Sequence, residues 1–378
     1  MKVVINALSA LQGGGQVYLI NLLKRLKYFP SITVYILVPP KLVDVYKFPG
    51  VKTIACSIAS KSVIHRTLWE KIALPNLLRN IKAQILFCPG GILNTNLPKG
   101  CSSVVSFQNM LPFSPSSYRK YRYGYQRLRL WLLRRTLVKS MKIADRTIFI
   151  SKFARDFIEQ LIPNIRTHSL VIPHGISDEF RRKSTNLPDI LKGKQYFLYV
   201  SMFDVYKCQV EVVKAYAKLR KMRDTPEVLV LVGPTRVAAY AKQVDSEIEK
   251  EGLSQYVLRL GELPQQRLPC LYHNVKAIIF ASKCENCPNI LLESLAAAKP
   301  LFVSNQTAMP EFASDAAVYF DPDNPEELTG LLVKYLDNKS WMEEMGRKAY
   351  ERSLLYSWEK TARETFQTLL ELKARVST

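Results

Sequence analysis

At 378 residues, 48% of them hydrophobic and 23% charged, the chain is too long for one ordinary domain and too apolar to stay disordered, and it suits two α/β domains. No stretch approaches the ~20 apolar residues of a membrane-spanning helix, and the seven cysteines, odd in number and without a close framework, read as reduced and cytosolic rather than as a secreted scaffold. The net charge of +22 is lopsided: residues 1–178 hold 26 Lys and Arg against 6 Asp and Glu, whereas residues 179–378 hold 28 against 26. Such a basic half predicts an anionic partner, whether nucleic acid, anionic lipid or a phosphorylated substrate; solubility alone needs less charge.

Short β-branched runs alternate with amphipathic stretches, the pattern of parallel sheets. The opening residues Met1–Asn6 run straight into a strand-like segment, which leaves no room for a signal peptide. Strands are expected at Val3–Asn6, Thr33–Val38, Gln84–Cys88, Ser103–Phe107, Arg146–Ile150 and Ser169–Ile172. Helices are expected at Gln16–Lys27, His65–Arg79, Ser117–Met141 and Lys152–Leu161. The polar stretch Asp178–Lys194 reads as a linker. Alternation restarts with strands at Tyr196–Ser201, Glu227–Val232, Val257–Leu260, Ala277–Phe280 and Leu301–Val303. The intervening helices are expected at Gln209–Lys221, Val237–Glu251, Asn289–Ala297 and Pro325–Leu336. Two doubly wound units predict a ligand site at the carboxyl ends of their strands, in a cleft that the two domains face across. The domains are expected at 1–178 and 179–355, with a C-terminal helix over 356–378 returning to the first.

Two segments carry the chemistry. After the first strand comes Gly13-Gly14-Gly15, and then a helix. Glycines let backbone pass close to a ligand, and a helix N-terminus offers free N–H groups to phosphate, which makes Gly14 and Gly15 donor-site candidates. The turn is neither a Walker loop nor a GxGxxG fingerprint, and a tight turn alone would look the same. The second segment is Cys284-Glu285-Asn286-Cys287-Pro288-Asn289-Ile290-Leu291-Leu292-Glu293. Glu285 falls in a turn after a strand and Glu293 in the following helix, where it interrupts an apolar face. Two carboxylates so placed can accept hydrogen bonds from sugar hydroxyls; the plainer reading is a capping carboxylate and a surface Glu.

The Glu-x7-Glu pair resembles the signature of the retaining GT-B glycosyltransferases of family 4. Val171–Ile176 resembles the family's hinge segment. Leu231-Val232-Gly233, Leu260-Gly261-Glu262-Leu263-Pro264, Met309-Pro310-Glu311 and Val318–Pro322 recur in the family's order. The resemblance implies that Glu293 holds the nucleotide ribose and Glu285 the sugar hydroxyls, beside the backbone of Asn286 and Cys287. It implies that Lys207 pairs with the donor diphosphate and that the base sits on Gly261, Glu262 and Leu263. There are two departures. Met202 and Ser201 stand where the family has an Arg before that Lys, leaving Arg236 as a conceivable substitute. Gln108 stands where it often has a His, and an amide cannot carry a proton. The implied donor is a UDP- or GDP-linked sugar, and the implied acceptor is lipid-linked or a glycan. Neither metal nor cofactor is expected. Asp321-Pro322-Asp323 reads as turn chemistry rather than a metal motif, Cys284 and Cys287 lack a second pair for zinc, and His65 and His174 read as structural.

Residues 111–144 contain no acid. A helix there would put Lys120, Arg127, Arg134, Arg135 and Lys142 on one flank with Trp131, beside a stripe of Leu130, Leu133, Leu137 and Met141. This composition suits an anionic bilayer surface, and equally a helix with its leucines packed inward and its cations in water. The reading is a retaining, metal-independent hexosyltransferase-type enzyme, cytoplasmic and peripheral on the inner face of the membrane. A nucleic-acid-binding protein is the rival, but no helix-turn-helix, RRM or zinc-finger pattern accompanies the charge. A non-catalytic scaffold is a third reading, opposed by the intact Glu pair and Lys207.

Overall fold

The computed structural model describes residues 1–376 apart from 11, 12, 120, 122, 123 and 185, with backbone alone for 374–376. It divides into two compact units. The first comprises Met1–Phe113, Leu128–Gly175 and Trp358–Thr378, and the second Ser114–Arg127 and Ile176–Ser357.

In the first unit, β1 (Lys2–Asn6), β2 (Thr33–Val38), β3 (Val51–Ala55), β4 (Ile85–Cys88), β5 (Ser102–Phe107), β6 (Arg146–Phe149) and β7 (Ser169–Val171) form one sheet in the order β3-β2-β1-β4-β5-β6-β7. Its pairings are parallel, with Val3 opposite Val34 on one side and Ile85 on the other. Helices on both faces leave the central strands buried throughout, which is why β4 and β5 read as continuous apolar or small-residue runs rather than alternating ones. In the second unit, β8 (Tyr196–Val200), β9 (Val228–Val232), β10 (Val257–Gly261), β11 (Ala277–Phe280), β12 (Leu301–Ser304) and β13 (Val318–Phe320) form a sheet in the order β10-β9-β8-β11-β12-β13. The strand order reverses between β1 and β4 in the first sheet and between β8 and β11 in the second. Each unit is thus Rossmann-like, a fold in which the reversal is the usual place for a ligand.

Several expectations are corrected. The single helix over His65–Arg79 is two helices, Val63–Ile72 and Leu74–Ile81, because Pro75 can open a helix but not continue one. The helix over Ser117–Met141 is a short turn at Pro115–Tyr118 followed by Tyr125–Ile143, with Gly124 at φ 131° before the restart. The edge strand β3 was not foreseen; only partly buried, it lacks the apolar density of its neighbours. Residues 114–127 cluster with the second unit instead of the first, where the Tyr121 hydroxyl donates to Asp204 Oδ1 at 2.7 Å. Asp178–Lys194 is not a free linker: Phe180 and Leu191 are buried, and Arg181 donates to the carbonyls of Ser353 and Tyr356 at 2.8 Å.

The Trp358–Val376 helix belongs to the first unit's core through Trp358, Ala362, Phe366, Leu369 and Leu372. Trp358 lies against Tyr18 and His174, with ring centroids 6.3 and 5.5 Å away, and Tyr18 stacks on His174 at 5.1 Å. Trp358→Ala should therefore cost about 3–5 kcal/mol, as a large core side chain leaving a cavity does. Leu354→Ala, at an exposed position, should stay within about 0.5 kcal/mol. Denaturant melts of the two variants check this, and equal shifts would remove the core role of Trp358.

Candidate functional site

The second unit gathers its site at the β8/β11 reversal. Lys207 lies in the loop from β8 to the Gln209–Met222 helix, and Glu285 in the loop from β11 to the Asn289–Ala296 helix. The two side chains form an ion pair, and both are largely buried. The backbone fixes the lysine: its N–H donates to the Asp204 carbonyl at 2.9 Å, its carbonyl accepts from the Tyr199 hydroxyl, and Cys208 turns through the left-handed region at φ 56°. Aromatic rings of Tyr206 and Phe280 lie 5.0 and 5.9 Å from its ammonium. Glu285 is held by its N–H, which donates to Thr307 Oγ1 at 3.1 Å. Asp204 is buried beside them, and desolvation raises its carboxyl above the usual range although Tyr121, Lys207 and Arg236 oppose the shift.

Glu293 is in a different electrostatic position. It is 9% exposed, and its recorded partner is an amide, Gln265 Nε2, at 3.3 Å. With no cation to offset the loss of water, burial pushes its carboxyl up to about 8. Asn286 and Cys287 are buried in the turn between the two glutamates. Gly261 ends β10 at φ 67°, and its carbonyl accepts from the Gly233 N–H at 2.8 Å. Glu262 is exposed and Leu263 partly so. Gly233 has to be a glycine, since its φ is 145° and a Cβ there would lie 2.1 Å from the Ser201 carbonyl oxygen. Arg236 is exposed and close enough to lower the Asp204 carboxyl.

The first unit brings together a second set of expected residues. Gly13, at φ 68°, precedes the Gly14–Lys24 helix, whose first turn has no side-chain cap among the described residues. A Cβ on Gly15 would lie 3.9 Å from Gln108 Oε1, and Gln108 Nε2 is a buried donor without a partner among the described residues. Amides of a helix N-terminus and a buried side-chain amide donor are groups that can take the oxygens of a ligand. Nearby in sequence, Asn6 at the end of β1 donates to Glu70 Oε1 at 2.8 Å. Glu70 is buried, and desolvation raises its carboxyl.

Other candidates are absorbed by structure. Asp323 pairs with Lys283, and Asp321 Oδ1 accepts from the Asp323 N–H at 2.9 Å. Cys284 and Cys287 are buried and in no disulfide, and burial pushes Cys284 up to about 12. His174 is packed between Tyr18 and Trp358, while His65 stands in the first turn after its cap, Ser62. On the Tyr125–Ile143 helix, Leu130, Leu137 and Met141 are buried and Lys142, Arg135 and Trp131 are exposed. Arg135 lies over the Trp131 ring at 3.9 Å and Arg134 over Phe113 at 5.5 Å. Arg127 is folded onto the carbonyls of Tyr121 and Arg119. Lys120 lies outside the described residues. No described helix is long and apolar enough to cross a membrane. Gln265, Thr307 and Asp204 were not foreseen; only Gln265 had a signal, as the residue after the Gly261–Pro264 segment.

Two family models divide the chain between them: residues 12–180 match "Glycosyltransferase Family 4" and residues 180–352 match "Glycosyl transferases group 1". Over 296 residues the chain is 23% identical to O-antigen chain mannosyltransferase B of Escherichia coli, covering 76% of this chain and 74% of that one. Its fold is shared with sucrose-phosphate synthase of Thermosynechococcus elongatus (TM-score 0.79, 16% identity, 99% and 100% coverage). The Anabaena HepE complex with UDP-glucose gives a TM-score of 0.76 at 15% identity, covering 98% and 100%.

The raised Glu293 carboxyl makes stability depend on pH. In the unfolded chain this group ionises near pH 4.5, whereas in the fold it keeps its proton to about 8. Between those values the native state holds the extra proton, so stability falls as pH rises. Glu293→Gln should abolish that fall: matched to the wild type near pH 4, it should be more stable near pH 8, by up to about 4 kcal/mol. Parallel urea curves across this range would refute the shift.

Proposed function

Because the chain belongs to the group 1, family 4 glycosyltransferases with a GT-B fold, we propose that it is a retaining transferase moving a hexose from a UDP- or GDP-linked sugar to a lipid-linked or cell-surface polysaccharide acceptor. The observation that carries this reading is the meeting of Lys207 and Glu285 at the β8/β11 reversal, with Glu293 buried on the helix that follows. In this reading Glu293 and Gln265 take the ribose hydroxyls and the Gly261–Leu263 backbone takes the base. Lys207 faces the diphosphate and neutralises charge as it leaves, and Arg236 supplies the second cation that Met202 and Ser201 do not. Glu285 then accepts from sugar hydroxyls, beside the Asn286 and Cys287 backbone. Within the first unit, taken by itself, Gly14, Gly15 and Gln108 offer N–H donors to the sugar or phosphate oxygens of a ligand.

The departing phosphate oxygen takes the acceptor's proton while the acceptor oxygen bonds to C1 on the face the nucleotide leaves, so configuration is kept. Neither metal nor cofactor has a part, since the diphosphate is met by side-chain cations and the Asp321-Pro322-Asp323 carboxylates are committed to a turn and to Lys283. The O-antigen relative and the basic Tyr125–Ile143 helix support an acceptor at a membrane. There Trp131, Arg134, Arg135 and Lys142 would face anionic lipid on the cytoplasmic leaflet, and Arg127 would join them on leaving the Tyr121 and Arg119 carbonyls, with no role for nucleic acid.

Calorimetry with UDP and GDP tests the assignment. Glu293→Ala should weaken the preferred nucleotide by about 0.5–1.5 kcal/mol for each hydrogen bond lost, the worth of one between neutral partners. Glu285→Gln should leave nucleotide affinity near wild type and depress kcat, and Lys207→Ala should depress both. Wild-type turnover in the Glu285 and Lys207 variants would reject the site. Activity with the true donor should also survive EDTA; loss on chelation, restored by magnesium or manganese, would reject the metal-independent mechanism.

A further inference from the structure

The first unit has a surface that the sugar-transfer reading leaves unused. The Val63–Ile72 helix turns Val63, Ile64, Leu68 and Ile72 outward, each more than half exposed. Ile64, Leu68 and Ile72 are four residues apart, so they form one row along the helix. On the Tyr125–Ile143 helix, Trp131, Leu132 and Ile143 are exposed to about the same degree. A cavity of about 610 Å³ is lined from both helices and from the loop after β4, by Lys71, Asn94, Asn96, Arg135, Lys139 and Ile143 among others. No acid lines it, and no ion pair of Lys71, Arg135 or Lys139 is found among the described residues.

The charge around the cavity has a definite origin in the sequence. Between Asp44 and Asp145 the chain has seventeen Lys and Arg and a single acid, Glu70. That acid is turned away from solvent and bonded to Asn6 and Asn94. No acid lines the cationic cavity, and exposed aliphatic side chains lie on the two helices that contribute to its lining. Nucleic acid would satisfy the cations but leave the aliphatic row in water. An amphiphile with an anionic head satisfies both.

We propose that this face docks on lipid, with the phosphate headgroup of an anionic phospholipid in the Lys71–Arg135–Lys139 cavity and Ile64, Leu68, Ile72 and Ile143 entering the acyl boundary. The inference rests on the membrane reading above and goes further. That reading needs only the basic flank of one helix, whereas this one needs a second helix and a headgroup subsite.

Sedimentation of the full chain with vesicles of mixed phosphatidylglycerol and phosphatidylcholine, and with phosphatidylcholine alone, tests it. The substituted aliphatic side chains are exposed, so Ile64→Ser/Leu68→Ser should melt like wild type. It should lose about tenfold in binding to the anionic vesicles, including the part that resists high salt. Arg135→Gln/Lys139→Gln should lose a similar factor and, with it, the preference for phosphatidylglycerol over phosphatidylcholine. Brominated acyl chains should quench Trp131 in the wild type but not after Ile64→Ser/Leu68→Ser. If Ile64→Ser/Leu68→Ser binds as wild type while Arg127→Gln/Arg134→Gln/Arg135→Gln does not, peripheral membrane contact stands and the aliphatic docking face is overturned. Absence of wild-type binding to either vesicle overturns both, and salt-sensitive binding to duplex DNA in its place would assign the basic face to nucleic acid.

Discussion

The buried ion pair between Lys207 and Glu285 is the constraint around which the second unit's site is organised. Burying either charge alone would cost several kcal/mol, which neither loop could absorb. Together they tie the loop after β8 to the loop after β11 at the point where the sheet reverses. The lysine's place is set by its own backbone, through Asp204, Tyr199 and the left-handed turn at Cys208. The pair is thus held from both sides, and no substrate is needed to assemble it. In the proposed reading, a diphosphate arriving beside it would meet a cation already oriented, leaving little reorganisation for the moment of transfer.

The two glutamates of the motif are chemically similar and electrostatically distinct. Glu285 has an ammonium to offset its burial, whereas Glu293 has an amide. Eight residues of spacing carry one carboxylate from a loop beside a cation into a helix packed under apolar neighbours. Sequence shows the spacing; only packing shows that one group is paired and the other poised between protonation states near neutral pH. A neutral carboxyl can donate as well as accept, and a vicinal pair of ribose hydroxyls can do both in return. In the proposed role, the proton on Glu293 is part of the recognition chemistry.

Much of the fold was legible because parallel strands buried on both faces announce themselves as apolar runs. Tyr196–Val200 and Val228–Val232 are such runs and were placed within a residue or two. Val51–Ala55 was missed because an edge strand carries less of that signal. The breaks at Pro75 and Gly124 were visible as residues but were overridden by hydrophobic periodicity on either side. Residues 114–127 were assigned by chain order, yet their partners are Asp204 and its neighbourhood, a tertiary choice that local pattern cannot encode. The same limit applies in the site. Lys207 and the glutamates had motif context, whereas Thr307 and Asp204 contribute through backbone geometry and burial, which leave no mark in composition.

The charge asymmetry has a cause that totals conceal. The two halves carry nearly the same number of cations, 26 and 28; they differ in acids, 6 against 26. The first half is a polycation because acids are missing from it, and its longest gap has one exception, which is buried and hydrogen-bonded. Solubility would be served as well by interspersed charges of both signs. Removing acids serves a different end, since an exposed carboxylate near an anionic surface repels it within a Debye length and cancels a neighbouring cation. The second half keeps its acids and spends them on ion pairs such as Lys218–Glu326 and Arg223–Asp337. A chain shaped only for stability would have no reason to treat its two Rossmann-like units so differently. A chain whose first unit works against a phosphate-bearing surface does, which is why the missing acids weigh more than the surplus cations in favour of an anionic partner.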